Sequence, residues 1–193
     1  MTSLERALIE LARTFNNNGI PYMIIGGMAN AVWGEPRATL DIDATVRVAE
    51  EEINNIISLL ADLYEPRVSD PTAFVEETRV LPLHSKDGVP IDVIFGILPF
   101  EEQAIARSVE VVVAGTPVRF CTPEDLILHK IVSERERDLQ DVRGIVLRRL
   151  KSLDLAYLEP RIRELADALE RPELWHSWSR WKEASPGPPD HIK

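Results

Sequence analysis

The stretch from Ile25 to Val46 constrains the fold of this chain more than any other part of its sequence. A short apolar run, residues 22–25, leads into Gly26-Gly27 and a short helical segment, and then into an alternating segment, residues 40–48. A wholly apolar run is typical of a buried strand, and strict alternation is typical of a half-buried one. The pattern therefore predicts two strands joined through a glycine break and a short helix.

The second of these strands carries Asp41-Ile42-Asp43. Residues two apart on a strand face the same way, about 6–7 Å along the chain, so both carboxylates are expected on one face. Hard cations such as Mg²⁺ prefer oxygen ligands, and a paired site holds its ions about 3.5–4 Å apart. The two aspartates are therefore candidate metal ligands, and a solvated strand face is the alternative.

A third acid, Asp92, lies between Ile91 and Val93 in an otherwise apolar strand candidate. An ionised carboxylate without a partner there would cost several kcal/mol. A metal site shared with the first two aspartates offsets that cost, and an ion pair with an arginine is the alternative. The Gly-Gly break suits a phosphate because it leaves backbone N–H groups bare, although such a pair is more often a simple turn.

The order of elements along the chain predicts an α+β fold. Helices are expected at 3–18, 50–63 and 100–107, a polar connection at 66–71, and strands at 79–84, 89–95, 109–113 and 118–120. Thr122-Pro123-Glu124-Asp125 is a strong helix start, and the chain from there to about 170 reads as helical with interruptions near Asp154 and Pro160. We expect a head at 1–120, a C-terminal helical segment at 121–182, and a disordered tail at 183–193.

The net charge and the cysteine content limit which classes of function this chain can have. The chain has 22 Lys+Arg against 32 Asp+Glu, a formal net charge of −10. A broad, non-specific basic surface for nucleic acid is therefore excluded, and a polynucleotide would need a local basic patch or metal ions. The single cysteine, Cys121, excludes an internal disulfide, and no apolar run is long enough to cross a membrane. A cytoplasmic protein is the expectation.

The head motif resembles that of a known enzyme superfamily. Ile25-Gly26-Gly27 followed by Asp41-Ile42-Asp43 resembles the signature of the DNA polymerase beta-like nucleotidyltransferases. Together with Gly34, Arg37 and Thr39, the stretch is similar to the AbiEii/AbiGii-type branch, many of whose members are toxins of toxin–antitoxin or phage-defence loci. The resemblance implies a mixed sheet flanked by helices and followed by a C-terminal helical segment. Many superfamily members have a serine where this chain has Gly27.

The resemblance also implies a reaction, the transfer of NMP from an NTP to a hydroxyl group. Asp41 and Asp43 would bind the Mg²⁺ (or Mn²⁺) that bridges the NTP phosphates, and Asp92 would complete the second metal site. Gly26 and Gly27 would hold the triphosphate. The acceptor stays open between tRNA or another RNA, with a cognate antitoxin as protein partner, and a small molecule such as an antibiotic. A non-catalytic nucleotide-binding module is the remaining alternative.

Several charged residues have two interpretations. Arg37, just before the acidic motif, is a candidate nucleotide ligand or a structural salt bridge. Lys130 is a candidate phosphate ligand, or an ordinary ion pair with Glu134. Three further residues, Arg135, Asp138 and Asp141, are spaced three apart and so share one helix face. They lie either in the cleft or on the surface, where an Arg135–Asp138 ion pair would add little stability.

Two features of the helical segment bear on an RNA acceptor. The densest basic cluster would supply sequence-independent phosphate contacts or would simply be a solvated helix face; it comprises Arg143, Arg148, Arg149 and Lys151. Three tryptophans recur every three residues, at 175, 178 and 181. They predict a helix face that packs on the protein or on a partner, with a base-stacking platform as the alternative.

Overall fold

Seven strands form one mixed sheet in the computed structural model, which describes residues 1–185. Helices alternate with the strands in the first part of the chain, and only helices follow in the last part. The elements in chain order are α1 (Ser3–Asn17), β1 (Tyr22–Ile24), α2 (Gly26–Trp33), β2 (Ile42–Val46), α3 (Ile53–Leu63), β3 (Glu65–Pro66), α4 (Pro71–Thr78), β4 (Val80–His84), β5 (Pro90–Phe95), α5 (Pro99–Arg107), β6 (Val109–Val113), β7 (Thr116–Phe120), α6 (Pro123–Ile131), α7 (Glu136–Arg149), α8 (Leu155–Ala168) and α9 (Glu173–Ala184). The predicted α+β fold with a mixed sheet is confirmed.

The sheet has the order β3-β4-β5-β2-β1-β7-β6, so the strand with the acidic motif is at its centre. Strand β2 runs parallel to β5 and antiparallel to β1, and β1 runs parallel to β7. The remaining neighbours are antiparallel. A central strand is fixed by hydrogen bonds on both sides, and this rigid position is where the candidate site begins.

Alternation along β2 and β5 separates the core from the polar face. Ile42, Ala44, Ile91 and Val93 are fully buried, whereas the aspartates between them are only partly buried. Successive side chains of a strand point to opposite faces, so the apolar set packs in the core and the aspartates stand on the other side. The sequence pattern predicted this division for β2, whereas in β5 it predicted an apolar strand with one acid inside it.

Capping residues and prolines in the sequence determine where several helices begin. At α1, the Thr2 hydroxyl accepts from the backbone N–H of Glu5, and the Glu5 carboxylate accepts from the backbone N–H of Thr2. Such a capping box satisfies two N–H groups that the helix itself leaves without partners. Helix α6 begins at Pro123, where the sequence predicted a helix start.

Two of the differences between the structure and the predicted elements involve a proline. The segment predicted as a polar connection, residues 66–71, overlaps β3 only at Pro66, and helix α4 begins at its last residue, where Asp70 accepts from the N–H of Ala73 at 3.0 Å and Pro71 takes the first position. A second difference is that Pro160 lies inside α8 without ending it. The buried side chains of Leu158 and Ile162 hold this helix in place, which offsets the hydrogen bond that proline cannot donate.

The chain divides into two compact units. The first joins Met1–Ala29 to Ala38–Thr122 and contains the whole sheet, and the second joins Asn30–Arg37 to the chain from Pro123 onward. The predicted tail at 183–193 overlaps the last residues of α9, and its part from 186 lies outside the described residues. Among the described residues, no helix is both long enough and apolar enough to cross a membrane.

Candidate active site

Two of the three predicted acidic ligands are brought side by side at the centre of the sheet. Strands β2 and β5 are parallel, and their register pairs Asp43 directly with Asp92. Paired residues of neighbouring strands project to the same face, and the strands themselves are about 4.8 Å apart. Both aspartates are partly buried on the face opposite the core. This register creates a local concentration of negative charge at the centre of the sheet.

The third acid, Asp41, immediately precedes β2 and is exposed. The hydroxyl of Thr39 donates to Asp41 Oδ1 at 2.7 Å. This hydrogen bond orients the carboxylate from within the loop that leads into the strand. The threonine is therefore a positioning residue for Asp41. The sequence indicated only that it belongs to the motif and did not predict this hydrogen bond.

The glycine pair lies against these same side chains. Gly26 has φ +63°, and a Cβ atom built on it would come within 1.9 Å of Asp43 Oδ2. A Cβ atom on Gly27 would come within 2.4 Å of Thr39 Oγ1. Any side chain here would displace the polar groups of the site, so this close approach of backbone and carboxylate requires glycine. These two residues open helix α2, whose first N–H groups have no partner within the helix.

An arginine that the sequence gave no reason to select completes this region. A guanidinium nitrogen of Arg67, Nη2, donates to Asp92 Oδ1. The backbone N–H of Arg67 donates to the carbonyl of Pro82 at 2.9 Å, which anchors the arginine beside β4. The ion pair is the alternative that the sequence left open for Asp92. Its partner could not be identified because Arg67 lies in a polar connection with no motif around it.

The donor chemistry of this region fits a divalent cation, since carboxylate oxygens are the ligands that Mg²⁺ prefers. Within residues 1–185, however, no three His, Cys, Asp or Glu side chains are grouped so that they could hold a metal ion. Thr39 holds Asp41 and Arg67 holds Asp92. The roles of Asp41, Asp43 and Asp92 as a set of metal ligands therefore stay a prediction.

The two predicted basic ligands lie in the second unit, each in a salt bridge. Arg37 donates to Asp141 through Nε at 2.9 Å and through Nη2 at 2.8 Å, a bidentate pair. The Nζ atom of Lys130 is 2.7 Å from Asp138 Oδ1 and 2.8 Å from Asp141 Oδ2, with 8% of its side chain exposed. The lysine thus pairs with two aspartates of α7 rather than with Glu134. Arg37 thus makes the structural salt bridge that was its alternative interpretation, whereas Lys130 makes ion pairs with partners other than the predicted one.

These contacts set the ionisation of the two aspartates of α7. Burial raises the pKa of Asp138, but hydrogen bonds from Lys130 and Ser133 outweigh it and leave that pKa below its usual value. Burial likewise raises the pKa of Asp141, and hydrogen bonds from Arg37 and Lys130 lower it further than burial raises it. Both carboxylates are therefore ionised at neutral pH, and Lys130 is held between two negative charges.

Arg135 has a different environment from the aspartates with which it was grouped. It is the N-cap residue of α7, its side chain is 82% exposed, and its Nε atom is 2.7 Å from Asp138 Oδ2. Asp138 and Asp141 are buried, so the three residues do not form one surface pair. The described residues show a mostly buried ionic network in which Arg135 is the exposed outer member.

Comparison with solved structures identifies the fold. An antigenic nucleotidyltransferase-like protein from Paracoccidioides brasiliensis superposes with a TM-score of 0.57 at 19% identity, over 91% of this chain and 92% of the other. The antibiotic-resistance factor ANT(2″)-Ia gives 0.58 at 16% identity, over 91% and 98%. The lincosamide antibiotic adenylyltransferase LnuA, in its lincomycin-bound structure, gives 0.52 at 15% identity, over 75% and 96%. At these identities the likeness establishes a nucleotidyltransferase fold.

The family follows from the sequence itself. Residues 3–185 match the family described as nucleotidyltransferase of unknown function (DUF6036), and the chain belongs to this family. No curated protein sequence matches the chain. The protein is a nucleotidyltransferase, which confirms the enzyme class that the Gly-Gly and Asp-x-Asp motifs predicted.

Proposed function

We propose that this protein transfers the NMP group of an NTP to a hydroxyl group, and that the reaction takes place at Asp41, Asp43 and Asp92. The observation that carries the proposal is the register of the two parallel strands, which sets Asp43 beside Asp92. The contact of Asp43 with the start of α2 supports it, because phosphate groups bind well where helical N–H groups point outward.

The three carboxylates would hold the divalent cation, Mg²⁺ or Mn²⁺, which when bound neutralises phosphate charge and supports attack at phosphorus. The backbone of Gly26 and Gly27 would bind the triphosphate. Asp92 would accept the proton of the acceptor hydroxyl, whose oxygen forms the new bond to the α-phosphorus as pyrophosphate leaves. The protein's own contribution is to position and to neutralise charge, which is how most of the barrier to phosphoryl transfer is lowered.

Arg67 has a defined place in this scheme. Its guanidinium neutralises Asp92, so one of the three negative charges of the proposed site is compensated. A cation bound by Asp92 would compete with the arginine, which could then turn to the phosphate oxygens. Planar guanidinium groups bind carboxylate and phosphate with the same two-point geometry, so one side chain can serve both states.

Two acceptor classes follow from different observations. The similarity of residues 26–43 to the AbiEii/AbiGii-type branch supports an RNA acceptor, tRNA in particular, and a cognate antitoxin. The net charge of −10 supports a small acceptor, because a long polyanion is repelled by an acidic protein. The fold shared with ANT(2″)-Ia and LnuA supports the same class, an antibiotic or a molecule like it.

A transfer assay tests both the reaction and the acceptor. The protein is incubated with each labelled NTP and Mg²⁺, and with total RNA in one series and aminoglycosides and lincosamides in another. Label on RNA identifies the first acceptor class, and label on a drug identifies the second. Tight NTP binding with transfer to neither would instead indicate a nucleotide-binding module.

Site variants decide whether the proposed carboxylates act. Asp43→Asn and Asp41→Asn are expected to abolish transfer while the protein stays folded, as measured by circular dichroism. Asp62→Asn, which neutralises an exposed aspartate of α3, serves as the matched control and should keep wild-type activity. Wild-type transfer by the doubly substituted Asp41→Asn/Asp43→Asn protein would disprove the assignment.

A further inference from the structure

A groove of about 420 Å³ lies between α7 and α9, both in the second unit. Each helix contributes residues at i, i+3, i+4 and i+7, one continuous face per helix; the side chains that matter here are Glu136, Gln140 and Arg143 of α7 and Arg180 and Trp181 of α9. Pockets for small ligands have volumes of about 300–1,000 Å³. The groove is therefore large enough for one small ligand.

The two arginines of this groove are available to a ligand. Both are exposed, and neither makes a hydrogen bond or an ion pair with any residue in 1–185. Two other arginines of the same unit are engaged: Arg149 donates to the carbonyls of Val32 and Trp33, and Arg171 pairs with Glu173. With Glu136 as the only acid among the lining residues, the groove has an excess of one positive charge in a chain of net charge −10.

The indole of Trp181 is also left open. Trp178 is fully buried and donates to Glu159 at 3.2 Å, and Arg163 stacks over Trp175 at 3.6 Å from the ring centroid. Trp181 is partly exposed, and among the described residues its ring has no aromatic or cationic neighbour and no hydrogen bond. Of the three tryptophans of α9, it is the one whose ring faces this groove.

An aromatic face and two free guanidinium groups together select a particular ligand chemistry. Every nucleobase can stack on an indole ring, so stacking does not depend on the base sequence. A guanidinium group binds phosphate through two parallel hydrogen bonds. Gln140 donates to the Glu136 carboxylate at 3.3 Å, so both polar groups are held together at the groove and are placed to hydrogen-bond a base or a ribose. A simple inorganic anion would use the arginines but would leave the indole uncovered.

We propose that this groove binds a nucleotide, with the base on Trp181 and the phosphate on Arg143 and Arg180. The nucleotide is either free or one unit of a single-stranded RNA. The proposal goes beyond the proposed reaction, because it uses none of the residues assigned to catalysis. It also revises the expectation for the basic cluster of this segment, since only Arg143 of that cluster lines the groove.

The test measures binding without catalysis. Fluorescence anisotropy of a short 5′-fluorescein-labelled oligouridylate is recorded in EDTA at several salt concentrations, with unlabelled UMP and unlabelled oligouridylate as separate competitors. Arg143→Gln/Arg180→Gln is compared with Arg148→Gln/Lys151→Gln, a pair of exposed residues outside the groove that removes the same charge. Trp181→Ala is compared with Trp181→Phe, which keeps a stacking surface.

We expect the groove double variant to bind about tenfold more weakly or worse, and its salt slope to fall by about 1.4 for two lost phosphate contacts. Trp181→Ala should lose about 10- to 100-fold and Trp181→Phe much less. The control pair should stay within about twofold of wild type. Efficient competition by UMP identifies free nucleotide as the ligand, and competition by unlabelled oligouridylate alone identifies a strand.

Other results would overturn the proposal. No binding of the labelled oligouridylate, equal losses in the groove and control pairs, or full binding by the groove double variant each exclude the site. The arginine variants replace exposed side chains, so they keep the test valid even if Trp181→Ala fails to fold. Because EDTA removes divalent cations, failure here leaves the proposed transfer reaction intact, and failure of the transfer assay leaves this site intact.

Discussion

Replacing Gly26 by alanine is the sharpest test of the site geometry. The residue has φ +63°, a conformation that costs an L-amino acid about 1–2 kcal/mol. The added Cβ would also lie 1.9 Å from Asp43 Oδ2, far inside the 3.0 Å below which real contacts do not occur. The carboxylate must therefore move by about 1 Å, and a displacement of that size at a reacting centre costs about 100-fold in rate.

The expected result has two parts. The backbone cost alone lowers the melting temperature by about 2–8 °C for a chain of this size. The displaced carboxylate lowers kcat/KM by about 100-fold and weakens the Mn²⁺-dependent binding of a fluorescent ATP analogue. Melting is followed by circular dichroism, and transfer is followed with whichever acceptor takes label in the assay described above.

Gly19→Ala is a closely matched control. Gly19 has φ +64°, and a Cβ atom built on it meets no atom within 4 Å. It should therefore lose the stability that the left-handed backbone alone costs, and it should keep its activity. If Gly26→Ala retains activity within twofold of wild type, or if Gly19→Ala loses as much, the argument that the glycine makes room for Asp43 is refuted.

Three further predictions concern the charged contacts. Lys130→Met leaves the buried Asp138 and Asp141 without their shared cation, so we expect a loss of about 3 kcal/mol in the free energy of unfolding by urea at pH 7. The pKa of Asp141 is lower in the folded than in the unfolded protein, so its stabilising effect is present above the unfolded value near 3.9 and is lost as the pH falls below it. Asp141→Asn should accordingly be less stable than wild type in thermal melts at neutral pH, and the difference should shrink below about pH 4. Arg67→Gln removes the cation that pairs with Asp92 and should tighten Mn²⁺ binding several-fold in calorimetric titrations.

Each of these predictions has an outcome that would contradict it. Wild-type stability of Lys130→Met would mean that the lysine is not needed to hold the network. A constant stability difference for Asp141→Asn from pH 7 to about pH 2 would exclude the carboxylate as the titrating group. Unchanged or weaker Mn²⁺ binding by Arg67→Gln would mean that Asp92 does not contribute to a metal site.

The acidic motif was predictable because its signals are local. Alternation over a few residues identifies a half-buried strand, and it assigned Asp43 to the polar side of its strand. A Gly-Gly pair after an apolar run identified the turn, and the superfamily resemblance identified the enzyme class. Helix α4 was not predicted although Asp70-Pro71 is a good helix start, because the polar residues that lead up to it are typical of a connection.

The sequence by itself determined the fold class and the face on which Asp43 stands, because periodicity and turn chemistry act between residues close together in the chain. The enzyme class followed from the resemblance of its motifs to a known superfamily. Only the tertiary structure decided that Asp43 pairs in register with Asp92, that Arg67 reaches Asp92, and that Lys130 bridges two aspartates of α7. Strand neighbours and ion-pair partners depend on contacts between distant segments. The residues next to a side chain in the sequence limit which kinds of interaction partner it can accept, and the packing of distant segments selects the actual partner.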